Sequence, residues 1–409
     1  MEDGDQKHRM NCAPGFVKIL TIKKEWRCFN MTITSIQSLR WNPYFIRRGI
    51  EFSKFWDKYL QNEKRNVLYV LGRGFDPRMC TGFEAILKAG RHGVRDCLLI
   101  EFSEGEDSPS MQHTALVSDN LNILNDLLKD NGKLLPKPVQ MWSGDGPGRR
   151  RIGSRNAAGI FSDISDFATY TDIIIDISSM PRCIYFPLIG KALYLLDQAK
   201  RNNIINLHVV VCENVKLDQN IRDVGIDETA SYLHGFGGLL ETEATAGTPK
   251  VWIPILGEDQ RNQLEKIYAL VDPDEICPVL PSPSLNPRRG DVLIFEYREL
   301  LFDQWRVEPR NVIYASEQNP FEAYRQIHQA VCHYNQALKL LGGCKAVLSS
   351  LSSKLLSIGA LLAAYELMDN GLNVGIAHVE AQGHEIDTAK NGKQLREGEE
   401  LFTILLAGN

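Results

Sequence analysis

From Asn66 onward the chain alternates between short runs of β-branched and aliphatic residues and longer stretches of helical pattern, and each short run closes on Gly, Ser or Pro. Such alternation predicts parallel α/β structure, because a parallel strand needs a crossover long enough to hold a helix before the next one. Five strands are expected at 67–71, 97–102, 139–142, 173–177 and 207–212. A glycine-rich bridge follows (HGFGG, 234–238; TEATAGTPK, 242–250), and then five more strands at 251–256, 275–280, 312–315, 346–350 and 374–379. Ahead of Asn66 the pattern differs. Residues 1–14 are polar, 16–22 and 28–36 alternate as a hairpin does, and 44–64 read as a helix. The expected organisation is α/β, two tandem Rossmann-like parallel-sheet units with a small N-terminal accessory segment: residues 1–65, a first unit at 66–233, a linker at 234–250 and a second unit at 251–409.

The two units repeat more than spacing. The strand IIIDI runs into SSMPR, a long apolar helix and the strand LHVVVCE; AVLS runs into SLSSK, a second apolar helix and VGIAHVE. Arg182 and Lys354 fall at matching positions. YVLGRGFDPR (69–78) likewise matches IPILGEDQR (253–261), so a duplicated five-stranded unit is the economical account.

Length and composition narrow the class. At 409 residues the chain exceeds one core, and 44% hydrophobic with 24% charged residues excludes wholesale disorder. A net charge of −5 argues against coating nucleic acid by bulk charge. The nine cysteines are scattered, with neither CxxC pairs nor zinc spacing, so they read as reduced thiols and no metal is expected. The charged N-terminus lacks an apolar stretch and the run 355–368 is too short to span a bilayer, which places the protein in the cytoplasm with no membrane partner.

Ligands of parallel α/β sheets bind beyond the carboxyl ends of strands, so the loops there carry the candidate chemistry. In GRGFDPRM, Gly72 and Gly74 permit close backbone approach to an anion while Arg73 and Arg78 supply charge; alternatively Asp76 merely caps a strand–helix turn. DISSMPR offers Ser178, Ser179 and Arg182 and its counterpart SLSSK offers Ser352, Ser353 and Lys354, in each case hydroxyls plus a cation at a helix start, an anion site or simply a capped helix. WSGDGPGRRRIGSR holds Arg149, Arg150, Arg151 and Arg155 on an exposed loop, either a lid over an anionic ligand or a solvated charge run. Glu101 ends the second strand where a Rossmann unit keeps an acid for ribose, yet Glu104, Glu106 and Asp107 beside it suggest a solvated loop. Asp176, Glu101 and Glu317 are the candidate acid/base groups, with Glu322, Tyr324, Glu380 and Glu385 nearby in pattern. His234 and His384 lie in strand-end loops and read as surface residues.

The unit in which a strand runs into SSMPR or SLSSK and then a long apolar helix resembles the ligand loop of the CRISPR-associated Rossmann-fold (CARF) sensors of cyclic oligoadenylate, and NPFEAYR after 312–315 is loosely similar to polar loops of that superfamily. The chain departs from that family in carrying both Rossmann units in one polypeptide and no recognisable nuclease or helix-turn-helix domain. The resemblance implies a phosphate-rich nucleotide bound across the halves, with Arg182 and Lys354 facing it, in a prokaryotic defence or signalling system.

Three functions are consistent with these residues. The first is a sensor or regulatory subunit for a phosphorylated small molecule or a cyclic or linear oligonucleotide, needing no cofactor. The second is a hydrolase or transferase acting on a nucleotide or nucleotide sugar. The third is a scaffold that meets a protein partner through residues 1–65, where Trp26, Trp41, Tyr44, Phe45, Phe52, Phe55, Trp56 and Tyr59 form an aromatic series that core packing would equally explain.

Overall fold

A computed structural model describes residues 39–408 except residue 91 and segments 103–107, 145–148, 200–204, 219, 238–239, 241–246 and 387–395. The hairpin expected within 16–36 lies outside the described residues, as do Glu104, Glu106 and Asp107. In chain order the first unit runs β1 (Phe45–Arg48), α1 (Gly49–Asn62), β2 (Val67–Gly72), α2 (Thr81–Ala89), β3 (Arg95–Phe102), α3 (Thr114–Leu128), β4 (Leu134–Val139), β5 (Asp172–Asp176), α4 (Arg182–Gln198) and β6 (Asn206–Glu213). The second runs β7 (Ser231–Tyr232), β8 (Lys250–Ile255), α5 (Arg261–Val271), β9 (Val279–Pro281), α6 (Arg289–Arg298), β10 (Ile313–Ala315), α7 (Pro320–Ala337), β11 (Lys345–Ser350), α8 (Lys354–Asp369) and β12 (Asn373–His378). A last strand, β13, spans Glu400–Ala407.

Sheet order shows the repeat. The first sheet reads β1-β13-β6-β5-β2-β3-β4 and the second β7-β12-β11-β8-β9-β10. Within each, five parallel strands follow the order fifth, fourth, first, second, third, which is the Rossmann arrangement. Both units thus share strand order and connections, as the matched motifs predict.

Helices α4 and α8 are buried on nearly every side. They lie in one continuous apolar core that also takes in residues of both sheets, so the two units are fused through these helices rather than tethered by a linker. Separate cores fill the outer faces: α1, α2 and α3 on the first sheet, α5 and α6 on the second. No helix among the described residues is long and apolar enough to cross a membrane.

Four expectations need correction. The strand predicted at 139–142 lies at 134–139: its sequence LLPKPV carries two prolines, tolerated because β4 pairs only with β3 at the sheet edge. The predicted 275–280 strand is split by Pro278 into Glu275–Ile276 and β9. Most consequentially, residues 251–409 do not all belong to the second unit, because β13 crosses back and inserts antiparallel between β1 and β6. Phe402, Ile404 and Leu406 are buried there, and that apolar set has its complement only on the first sheet. Residues 39–62 are likewise integral rather than accessory: Phe52 and Trp56 are core residues, Trp41 packs edge-on against Tyr324, and Tyr44 stacks on Phe321 of the second unit.

Candidate functional site

The strand order reverses between β2 and β5 in the first unit and between β8 and β11 in the second; both reversals open into one cleft of about 1430 Å³. Its walls include Arg73, Gly74, Arg78, Ser178, Ser179 and Arg182 from one unit and Glu317, Ser352, Ser353 and Lys354 from the other. The loops singled out by sequence are therefore brought together, but most of their polar atoms serve the fold.

Arg182 and Lys354 reach across the pseudo-twofold axis into each other's loop. Lys354 Nζ donates to the carbonyls of Ile177 (2.8 Å), Ser178 (2.8 Å) and Met180 (3.1 Å). Arg182 donates to the Ser352 carbonyl and to Ser357 Oγ. They are the bolts of the interface, and the expectation that both simply face a phosphate is corrected: their donors are taken by backbone carbonyls and a serine hydroxyl of the opposite unit. Burial, helped by neighbouring Arg78, pushes the Lys354 ammonium down to about 8.

The strand-end carboxylates complete this interlock. Glu213, closing β6, accepts a hydrogen bond from the backbone of Leu355 at the start of α8. Glu380, just past β12, accepts from Cys183 at the start of α4. LHVVVCE and VGIAHVE thus place equivalent acids on the partner unit's helix N-terminus, where the helix dipole favours them. Sequence reasoning missed Glu213, although the match between the two strands carried the signal.

Arg78 is also consumed. It is almost fully buried, its guanidinium bonds Asp76 and the Cys212 carbonyl, and it pairs with Asp218 at 2.8 Å. With those acceptors its charge is spent internally, and burial cost is met by the two carboxylates. Asp76 serves Arg78 rather than a helix cap. By contrast, Arg73 is 41% exposed and bonds Glu101 at 3.2 Å, which leaves donors for an incoming anion.

Gly72 does not line the cleft. A Cβ there would lie 2.5 Å from Met180 Cγ, and at its counterpart Gly257 one would lie 2.0 Å from the Leu351 carbonyl. Both glycines let the loop after the fourth strand cross the first, a packing need rather than phosphate approach. Ser179 Oγ donates to the Gly72 carbonyl, Ser178 Oγ to Asp176, and Ser353 Oγ caps α8 by accepting from Leu356 N–H.

The nominated acid/base groups are held by the fold. Asp176 is 1% exposed and both its oxygens are used, accepting from Tyr69 (2.5 Å) and from Ser178; burial raises its carboxyl all the same. Glu317 pairs with Arg289 and accepts from Leu285 N–H. Glu101 sits behind Arg73, off the cleft wall.

Among its described residues, the arginine loop contributes nothing to the cleft lining. Arg149 and Arg151 stack on Trp142 at 4.1 and 4.2 Å, Arg151 also binds Asp227 and the Ala381 carbonyl, and Arg155 lies in a short helix, Gly153–Ala158; neither these three nor Arg150 lines the cleft. Covering residues come instead from a ribbon in which Ile221–Asp223, after β6, pairs antiparallel with His384–Ile386, after β12. Ile221, Arg222, Asp223 and His384 line the cleft, with His384 Nε2 at 3.4 Å from Asp223. Among the remaining candidates, Tyr324 is buried on α7 and NPFEAYR begins that helix with Asn319 as its cap, while His234 donates its backbone N–H to Ser154. Glu322 lies in the first turn of α7 and Glu385 on the ribbon.

No family model and no curated protein matches the chain. Among solved structures it is similar to a functionally unknown protein from Pseudomonas aeruginosa PAO1, at 12% identity and a TM-score of 0.19 over 76% of this chain and 91% of that one. It is similar also to a hexameric APS kinase from Thiobacillus denitrificans, at 11% identity and a TM-score of 0.18 over 84% and 73%. At those scores the likenesses carry no argument about function, which rests on the cleft itself.

Proposed function

We propose that the cleft binds a phosphorylated, nucleotide-like ligand and that the chain is a sensor or regulatory subunit that reads it. The observation that carries this reading is the convergence of two Rossmann switch points on one cavity, each the position where such sheets receive nucleotides. At about 1430 Å³ the cleft exceeds the roughly 300–1,000 Å³ of sites for single small molecules, which suits a ligand of more than one nucleotide unit. Arg73 and Arg222 offer charge at its wall, and Phe75 and Phe102 offer apolar rings for bases. The likeness of DISSMPR and SLSSK to CARF ligand loops points the same way, toward an oligonucleotide read by a pair of Rossmann units.

Sensing is favoured over turnover because Asp176, Glu101 and Glu317 are engaged by neighbouring side chains. The test is calorimetry with mononucleotides and with linear and cyclic oligonucleotides, followed by chromatography of the recovered ligand. At least one should bind and return unchanged, and Arg73→Glu should weaken it tenfold or more without altering the unfolding midpoint. Failure of every compound to bind, or an unchanged affinity in Arg73→Glu, rejects the reading. Arg182→Glu is a poor probe, since it breaks the interface bond to Ser352.

A further inference from the structure

The pseudo-symmetry makes one carboxylate conspicuous. Glu380 and Glu213 occupy equivalent strand ends and each receives a hydrogen bond from the other unit's helix start. Glu380 is then neutralised by the protein: His378 Nε2 lies 3.7 Å away and Arg151 is close, so its carboxyl is held below the usual range. Glu213 forms no ion pair among the described residues, although the charges of Arg78 and Lys354 act on it as that of Arg151 acts on Glu380. Glu213 Oε1 is buried and unbonded, and the residue lines the cleft. A second buried polar atom without a partner, Ser352 Oγ in the loop leading into α8, belongs to a residue lining the same cleft; Tyr185 of α4 lines it too, with its hydroxyl hydrogen-bonded to Ser357. Tyr185 is 1% exposed and Ser352 8%. Buried polar groups are ordinarily satisfied, and two orphans lining one cavity mark a place where a bound group completes the bonding.

Resting on the cleft as the ligand site, we infer that Glu213 is the residue that selects the ligand: its free oxygen accepts from a nitrogen-borne donor on a nucleobase edge, with the Ser352 hydroxyl donating to an adjacent ring acceptor. An acceptor beside a hydroxyl matches a planar edge that carries a donor next to an acceptor, and a bare phosphate would be repelled by the carboxylate. Every charged neighbour bears on the protonation of Glu213. Asp218, on the short helix after β6, raises it; Arg78 and Lys354 lower it; Arg182 at the start of α4 is close to Tyr185. Burial dominates and brings the carboxyl up to about 7, so Glu213 is half-protonated at neutral pH. Seating a donor against it favours the carboxylate and expels about half a proton at pH 7.

The probes are the ribodinucleoside monophosphates ApA, CpC, GpG and UpU and an abasic diester, whose phosphodiesters do not titrate near neutrality. Binding is measured by calorimetry at pH 6, 7 and 8 in buffers of different ionisation enthalpy, for wild type, Glu213→Gln and Arg73→Glu. For at least one base-bearing diester, wild-type affinity should rise about tenfold from pH 6 to 8, the fraction of carboxylate expected around a pKa of about 7. About half a proton should be released at pH 7. Glu213→Gln should abolish the release and flatten the part of the pH profile that differs from wild type. The abasic diester should bind weakly and identically to both. Equal pH dependence in wild type and Glu213→Gln overturns the assignment of Glu213, and if Arg73→Glu still weakens binding, the cleft reading survives it. Binding of no diester overturns both. Should Glu213→Gln be destabilised, the carboxyl ¹³C shift of Glu213 in wild type decides: it must move toward the ionised value on ligand addition, and an unmoved resonance overturns the proposal.

Discussion

Acidification should destabilise the protein through one buried imidazole. His208, on β6, lies among Trp56, Phe55 and Tyr59, with its ring centroid 4.9 Å from that of Trp56. It is 1% exposed and neither ring nitrogen has a partner. Burial pushes it down to about 4, with Asp172 opposing and Arg65 reinforcing the shift. Its folded value therefore lies below that of the unfolded chain, about 6.5, so the unfolded state binds the extra proton between those values and stability falls with pH through that window. The contribution is RT ln[(1 + 10^(6.5−pH))/(1 + 10^(4−pH))], which is about 0.2 kcal/mol at pH 7, about 2 at pH 5 and about 3 below pH 4. The assay is urea unfolding at pH 7 and pH 5. His208→Phe keeps the ring contacts and removes two unbonded nitrogens, so it should unfold no more easily than wild type at pH 7 and lose about 2 kcal/mol less on moving to pH 5. His328, also pushed down to about 4 by burial, supplies a like dependence that remains in the variant. Equal losses in variant and wild type, or an imidazole resonance of His208 titrating near 6.5, would refute the reasoning.

Gly82→Ala should cost about 2–4 kcal/mol, read as a lower denaturant midpoint, because its Cβ would stand 2.4 Å from Tyr69 Oη and 2.5 Å from Asp176 Oδ2 in a buried hydrogen-bonded pair. Lys354→Met should cost about 3–5 kcal/mol by removing a buried donor shared by three carbonyls of the first unit, of which only that of Ile177 keeps a bond, from Met180 N–H; an unchanged midpoint would mean the bolt is decorative. Ile404→Ala on β13 should cost about 2–5 kcal/mol in the same measurement, since the residue is wholly buried in the first sheet.

Most of the parallel strands are legible in the sequence because a strand buried on both faces reads as an uninterrupted apolar run, as VLYVLG and DIIID do. LLPKPV is easily misplaced because its prolines mask an edge strand. The return of β13 to the first sheet is invisible because nothing local in ELFTILLA says which sheet it completes. For the site, loop position is readable and bonding is not. Arg78, Arg182 and Lys354 look like phosphate ligands until Asp76, Asp218 and the carbonyls opposite them are in place, and those partners are up to 177 residues away in sequence. Glu213 escapes notice because a strand-terminal acid normally reads as solvated.

Joining two copies of a unit in one chain changes what the symmetry permits. In a dimer of identical subunits both strand-end carboxylates would be neutralised or neither, because a two-fold interface repeats every contact. Here His378 stands two residues before Glu380, whereas the equivalent place two residues before Glu213 belongs to Val211, an apolar residue that offers no charge. The first unit keeps Arg73 at the cleft while its counterpart loop offers Glu258, tied to Arg289. Divergence at these few positions leaves the interface bolts intact and gives the shared cleft a polarity, with open cationic donors and an unsatisfied carboxyl on the first unit's side. A ligand of the proposed kind would meet two different walls, which favours one orientation. Combining His378→Val with Val211→His should move the orphan carboxylate from Glu213 to Glu380, read as a change in which of the two carboxyl ¹³C resonances titrates near neutrality.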